Sequence, residues 1–362
     1  MSGPEAVAGR YPAGAQGMPG EHGMSWLQPR SALFWVYCCA VIAGPILFLA
    51  QSFGQIWYAG AAAFAAVPIT VLTLLVFGSI LFWLDPFRAR RHLVAPMAMG
   101  FIWGATVWTG LALWANDHVT RVITNLGGDR FASNWSAAIA APIDEELIKA
   151  IGIAVVCVLF RPLLSRPIHG FLIGGSVGLG AQIAEDGLYS TQTALGAPQH
   201  PVFDVLVVAV LRLVTAFTSH WAMSALVGVG IVVLLTRKDR SWPWRLGVFA
   251  LFYLCAVTMH FIFDAPRPAG PGWLVMFLPV IVDLAIFTLA YRWVLHAERN
   301  WLRATIAQPS ARALGTEAQL ACLLTQRRRR KARKQLRHQA QLSRRQAQRY
   351  EDGLIDRVQA LS

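Results

Sequence analysis

The sequence predicts an all-α protein, a polytopic transmembrane helical bundle of about eight spans with both termini cytoplasmic. Three observations predict it. Of the 362 residues, 56% are hydrophobic and only 14% are charged, where a soluble domain carries about a quarter charged residues. The apolar residues fall into runs of roughly twenty, the length that crosses the hydrocarbon as a helix, and a chain in lipid must satisfy its backbone within each segment. Outside the C-terminal end, the basic residues cluster in alternate connections between those runs.

The first 31 residues are rich in Gly and Pro and lack a cleavable signal pattern, because the first apolar run begins only near Ala32; they read as a disordered cytoplasmic leader. Spans are expected at 32–51, 60–84, 93–115, 136–160, 168–189, about 210–235, 246–263 and 272–294. Turn-like stretches such as DPFRARRH and RKDRSWPWR separate them. Arg88, Arg90 and Arg91 follow the second span, Arg161 and Arg166 the fourth, and Arg237, Lys238, Arg240 and Arg245 the sixth. The excess of Lys and Arg on cytoplasmic loops places all three connections, and hence both termini, inside. Cys38, Cys39, Cys157, Cys255 and Cys322 are an odd set without a C-x-x-C pair, so neither a disulfide framework nor a cysteine metal site is expected. The transmembrane part occupies 32–295, and 296–362 is a basic helical cytoplasmic tail.

That tail carries most of the net charge of +13, with eleven bases and no acid between Arg327 and Arg349. It is built from good helix formers, without Gly or Pro between Gln326 and Gly353. Juxtamembrane basic clusters are attracted to anionic lipid, which is the expected partner. Nucleic acid is not, since no base-stacking aromatics are interleaved.

The segment 136–160, SAAIAAPIDEELIKAIGIAVVCVLF, holds Asp144, Glu145, Glu146 and Lys149 inside an apolar run. An ionised carboxylate at that depth is costly. Lys149 stands at i+4 from Glu145 and i+3 from Glu146, so it neutralises one carboxylate and leaves the other needing a partner. Counted at a helical rise from the cytoplasmic ends, Glu145, Glu146, Glu185, His220 and His260 all fall roughly 22 to 26 Å above the inner boundary. Carboxylates and imidazoles gathered in a partly dehydrated layer can activate water and stabilise a developing oxyanion. They are also ligands for Zn²⁺. His92, His118, His169, His200, His296 and His338 read as interfacial or loop residues, while Asp283 fits a partner for Lys149 as well as a step in an ion relay. An ion- or proton-coupled transporter, or a catalytically silent scaffold, would use the same layer, and the residues alone leave those alternatives open.

Four ordered motifs narrow the choice. EELIK (Glu145, Glu146, Lys149) fits E-E-x-x-K; AQIAEDGLY fits F-x-x-x-E-N-x-x-Y; Arg212, His220 and Gly228 fit R-x7-H-x7-G; and HFIFD (His260, Asp264) fits H-x-x-x-N. In these the chain resembles the PrsW-type intramembrane proteases, part of the larger group of CAAX-processing and bacteriocin-processing membrane proteases. The resemblance covers about residues 136–264. Ala181 stands where the family usually has Phe, and Asp186 and Asp264 where it usually has Asn; the aspartates lack the amide donor.

The resemblance implies an intramembrane protease of the bacterial cytoplasmic membrane. Its substrate would be a membrane-anchored protein, such as a regulated anti-sigma factor, cut near the extracytoplasmic side. It implies the two glutamates and a histidine as the essential groups; our assignment from the residues is Glu145 or Glu146 as general base, His220 and His260 as oxyanion stabilisers or metal ligands, and Glu185 as an orienting group or third ligand, with Lys149, Arg212 and Asp264 in support. A metal, with Zn²⁺ as the candidate, would be held by Glu146, Glu185, His220 and His260. No H-E-x-x-H is present, and a metal-free glutamate mechanism explains the same residues. Loss of the tail is expected to matter little to chemistry across the membrane.

Overall fold

The computed structural model describes residues 25–197, 199–267 and 272–361, so most of the expected leader lies outside the described residues. Among these residues the chain is helical and has no strand. Helix α1 (Ala32–Ala59) starts at Ser31, whose side chain accepts from the Phe34 amide, and ends at Gly60. Gly60 has φ 58°, a conformation that glycine reaches without strain. A 3₁₀ turn, Gly60–Ala66, then leads into α2 (Val67–Trp83). Helices α3 (Val94–Trp103) and α4 (Thr109–Gly127) are joined by a π-turn, Gly104–Trp108. At Gly128, φ 80°, the chain turns into α5 (Asp129–Leu159), which packs back along α4. There follow α6 (Pro167–Gly196), α7 (Pro201–Thr215), α8 (His220–Thr236), α9 (Trp242–Asp264) and α10 (Gly272–Ile306).

Helix α6 is the axis of the bundle. Every residue from Pro167 to Gln182 is buried, and α2, α3, α5, α7 and α8 pack around it. Its closest partner is α8, and glycine is the reason. A Cβ on Gly170 would lie 2.0 Å from the Gly228 carbonyl oxygen, and one on Gly178 would lie 2.0 Å from that of His220. Small residues let two backbones touch where lipid offers no hydrophobic drive for association. This contact sets the position of the first residue of α8, His220.

Among the described residues, five stretches are long and apolar enough to cross a membrane: Ala32–Trp83, Val94–Gly127, Pro201–Thr236, Trp242–Asp264 and Phe277–Ile306. The first comprises two helices folded at Gly60. Helices α5 and α6 fall outside the five, and they carry the acidic residues and many of the glycines.

The expected single span at about 210–235 is instead two helices. Helix α7 ends at Thr215, a 3₁₀ turn covers Ala216–Thr218, and Ser219 is extended with ψ −153° before α8 begins. The local sequence AFTSH has no Gly or Pro to announce this. The break is held by contacts distant in sequence or across the turn: Ser219 Oγ donates to Gln182 Oε1 at 2.9 Å, and Trp221 Nε1 to the Ala216 carbonyl at 3.1 Å.

The basic connections lie at one end of the bundle. Arg161 donates to the Leu235 carbonyl, Arg245 to that of Leu234, and Arg166 to Glu298 at 3.0 Å. The tail folds against the same end, as α11 (Glu317–Ala321), α12 (Gln326–Gln339) and α13 (Arg344–Gln359). Leu320, Leu323, Leu354, Ile355 and Val358 form a small core with Phe87 and Leu302. Arg166 donates to Gln359 Oε1, Gln359 donates to the Phe87 carbonyl, and Arg329 donates to the Pro86 carbonyl. The tail is helical as expected, yet it is a packed cap rather than a solvated extension. All five cysteines are free.

Candidate active site

The acidic segment lies midway along α5, just after Pro142, and its side chains turn inward: Glu145 is 5% exposed, and Glu146 and Lys149 are 0%. Neutralisation has to come from neighbouring helices, and it does. Lys149 Nζ lies 2.6 Å from Glu146 Oε1 and 2.8 Å from His220 Nδ1, but 4.0 Å from Glu145 Oε2. His260 of α9 brings Nδ1 to 2.8 Å from the same Glu146 Oε1. One oxygen of Glu146 is therefore clasped by an ammonium and an imidazole.

Glu145, one residue earlier and so about 100° around the helix, points to a different place. Its Oε1 accepts from Asn116 Nδ2 of α4 at 2.9 Å. Its Oε2 is buried and has no hydrogen-bond partner among the described residues. That oxygen lies 3.9 Å from His260 Nε2, which is also 3.3 Å from Asp264 Oδ2 one turn on in α9.

His220 is used at both nitrogens. An ammonium has no acceptor, so Nδ1 accepts from Lys149 and Nε2 carries the proton that is donated to Glu185 Oε2 at 2.8 Å. Glu185 of α6 is shared with Arg212 of α7, whose Nη2 lies 2.5 Å from the same oxygen. The Arg212 Nε reaches Asp186 Oδ1 at 2.5 Å, and its guanidinium lies 4.1 Å from the Tyr189 ring centroid. The rings of His220 and His260 meet edge to face, 5.2 Å between centroids. A cavity of about 20 Å³, lined by Glu185, Arg212, Ser219, His220, His260 and Asp264 among others, has room for one water. Glu145 does not line it and reaches the site through His260 instead.

All eight residues singled out in the sequence thus meet in one buried network, and Asp264 in place of Asn still contacts His260. Asp283 does not join it by hydrogen bonds: it is fully buried in α10 with both carboxyl oxygens unpartnered among the described residues. His169, expected as interfacial, is buried against Arg166. Sequence reasoning missed Asn116, because the span containing it was ended at residue 115. A helical pattern continued one turn through WANDHV would have kept it on the inner face with Ala112.

The donor set fits a divalent cation. Glu145, His220 and His260 each bring one ligand atom to within 4.8 Å of the others. Glu145, Glu146, Glu185, Asp186 and Asp264 supply five carboxyl groups against the two permanent cations Lys149 and Arg212. The expected metal set named Glu146 and Glu185. Glu146 is occupied by Lys149, and the glutamate that converges with the histidines is Glu145.

Residues 94–290, more than half of the chain, match the profile of the PrsW family intramembrane metalloproteases. The chain belongs to the PrsW family. The matched region begins at the first residue of α3 and ends within α10, so it contains every residue of the buried network, Asn116 included, and stops before the C-terminal cap. This PrsW-family chain is a membrane protein with a protease domain, and its apolar helices and buried carboxylate–imidazole network agree with that membership. No curated protein and no solved structure matches the chain.

Proposed function

We propose that the chain is an endopeptidase of the bacterial cytoplasmic membrane, crossing it about eight times with both termini inside. Its substrate is a membrane-anchored protein, cut near the extracytoplasmic side. The topology is supported by the contacts among basic connections: Arg161, Arg166 and Arg245 bind segments of one another's neighbours, so the chain returns to one end after each pair of crossings. The transmembrane unit is residues 32–295 and the cap 296–362.

The observation that carries the catalytic reading is the asymmetry of the two adjacent glutamates. Both keep a buried Oε2 without a hydrogen-bond partner among the described residues, but Glu146 has its other oxygen clasped by Lys149 and His260, whereas Glu145 stands 4.0 Å from Lys149 and turns Oε2 toward His260 Nε2 at 3.9 Å. Glu145 is the base: Oε2 takes a proton from water as the water oxygen bonds to the scissile carbonyl carbon, and returns it to the amide nitrogen as the C–N bond breaks. Asn116 fixes Oε1 and so aims Oε2. His260 Nε2, which also lies 3.3 Å from Asp264 Oδ2, donates to the developing oxyanion. His220 links Lys149 to Glu185, and Arg212 holds Glu185 in place.

A divalent cation, with Zn²⁺ as the candidate, would be held by Glu145, His220 and His260. When bound it supplies Lewis acidity and a water ionised near neutral pH. A regulated signalling protein, such as the anti-sigma factors suggested by the family resemblance, is the substrate class we favour.

The test is to reconstitute the purified protein in liposomes with a panel of single-span proteins, map products by mass spectrometry, and measure bound metal. Cleavage in the extracytoplasmic third of a substrate segment supports the reading, and a stoichiometric cation lost in His260→Ala assigns the metal. Proton-coupled solute uptake without cleavage of any substrate would contradict it.

A further inference from the structure

The cytoplasmic cap separates its charges. Between Gln326 and Leu361 the acids are Glu351, Asp352 and Asp356; Glu351 pairs within the cap and the two aspartates pair with the α2–α3 connection. Glu351 pairs with Arg333 at 3.1 Å, Asp352 with Arg88 at 2.5 Å, and Asp356 with Arg88 and Arg91. On α12, Arg329, Ala332, Arg333 and Leu336 recur at i, i+3, i+4 and i+7 and form the inward face. Arg329 is buried there, its guanidinium 4.7 Å from the Phe87 ring centroid. Outward stand Arg327, Arg328, Arg330, Lys331, Lys334 and Arg337, all exposed. Helix α13 adds exposed Arg344, Arg345 and Arg349.

A chain seeking only solubility would interleave both signs on this face. Between Gln326 and Leu361 the ion pairs use every acid, and the exposed charge of that stretch is of one sign. The cap is also fixed in place, since its core includes Phe87 from the α2–α3 connection and Leu302 near the end of α10. The basic face therefore sits at the same bundle end as Arg161, Arg237, Arg240 and Arg245. There Trp242 is exposed, and the Arg245 guanidinium lies 5.1 Å from its ring centroid. An exposed tryptophan beside arginines is the composition of a membrane–water interface.

We infer that the outer face of α12, with the start of α13, is a docking surface for the anionic headgroups of the membrane leaflet that surrounds this end of the bundle. Juxtamembrane bases are drawn to such a surface over about a Debye length. The cap's rigid packing holds them in register without an ordering cost at the moment of contact. Anionic lipid content would then bear on the cap, and through Gln359 and Arg166 on the cytoplasmic ends of α6 and α10.

The experiment uses the full-length protein in nanodiscs of phosphatidylcholine alone or with phosphatidylglycerol. A neutral acylating reagent labels Lys331 and Lys334, read by mass spectrometry. Labelling should be roughly fivefold or more slower in the anionic discs at low salt and recover at about 1 M salt, where the screening length is ~3 Å. A variant with Arg327, Arg330, Arg337, Arg344 and Arg345 changed to Gln keeps both reporter lysines and the inward face, and should lose most of the protection. Equal labelling in the two discs would overturn the inference. So would protection by added RNA in phosphatidylcholine discs that matches the effect of anionic lipid.

Discussion

His260 Nδ1 lies 2.8 Å from Glu146 Oε1, on the carboxyl oxygen that also lies 2.6 Å from the Lys149 ammonium. The pairing ties α9 to α5 within the buried network, and it occupies one carboxyl oxygen of Glu146 twice over. It also fixes the imidazole so that Nε2, and not Nδ1, faces Glu145.

Lys149→Met removes the only ammonium in the network. Glu146 is then a buried carboxylate with one partner fewer, and His220 Nδ1 loses its donor. Breaking a buried ion pair on one side costs about 3–5 kcal/mol. The variant should unfold at a clearly lower temperature in detergent and cleave nothing. Wild-type melting and cleavage would remove Lys149 from the account.

Asn116→Ala frees Glu145 Oε1 without altering its charge. We expect kcat to fall by about tenfold with KM unchanged, because the aim of the base is lost while substrate contacts remain. Asn116→Asp should do more harm, since it sets a second carboxylate against the first. A change in KM alone would assign Asn116 to substrate binding instead.

Gly178→Ala places a methyl where the His220 carbonyl oxygen stands, 2.0 Å away. Helices α6 and α8 must part, and His220 moves away from Glu185. Misplacement of this order costs about a hundredfold in rate. Gly196→Ala meets nothing within 4 Å and serves as the control. Equal cleavage by the two variants would show that the close helix contact does not position the site.

Removal of residues 344–362 exposes Phe87 and takes Gln359 from Arg166. Leu354, Ile355 and Val358 are nearly fully buried, and each contributes roughly 1.5–3 kcal/mol by burial. The truncated protein should melt several degrees lower and express poorly. From sequence the loss of the tail is expected to matter little to the chemistry, because its charge hides a sparse apolar pattern. Only the surface it covers shows where Leu354, Ile355 and Val358 go. An unchanged melting temperature would show that this packing does not stabilise the bundle.

That Glu145, Glu146, Glu185, His220 and His260 come together was legible because helical rise puts them at similar distances from the basic connections of their helices. Which glutamate turns toward His260 Nε2 and which is clasped by Lys149 was not legible. Adjacent helical residues share a depth and differ only in azimuth, and azimuth is set by partners on other helices, here Asn116 and His260. The break at Ser219 was hidden for a related reason, since it is imposed by Gln182 of α6 and not by any residue near it in sequence. Asp264, where the motif usually has Asn, reaches His260 Nε2 at 3.3 Å with a carboxyl oxygen.

The most direct measurement is the cleavage rate of Glu145→Gln in liposomes holding a substrate that the wild-type protein cuts. Gln keeps the shape of Glu145 and its neighbours but cannot take a proton from water. The rate should fall by at least about a hundredfold while the melting temperature stays at the wild-type value. Cleavage at the wild-type rate by Glu145→Gln would contradict the assignment of Glu145 as the base.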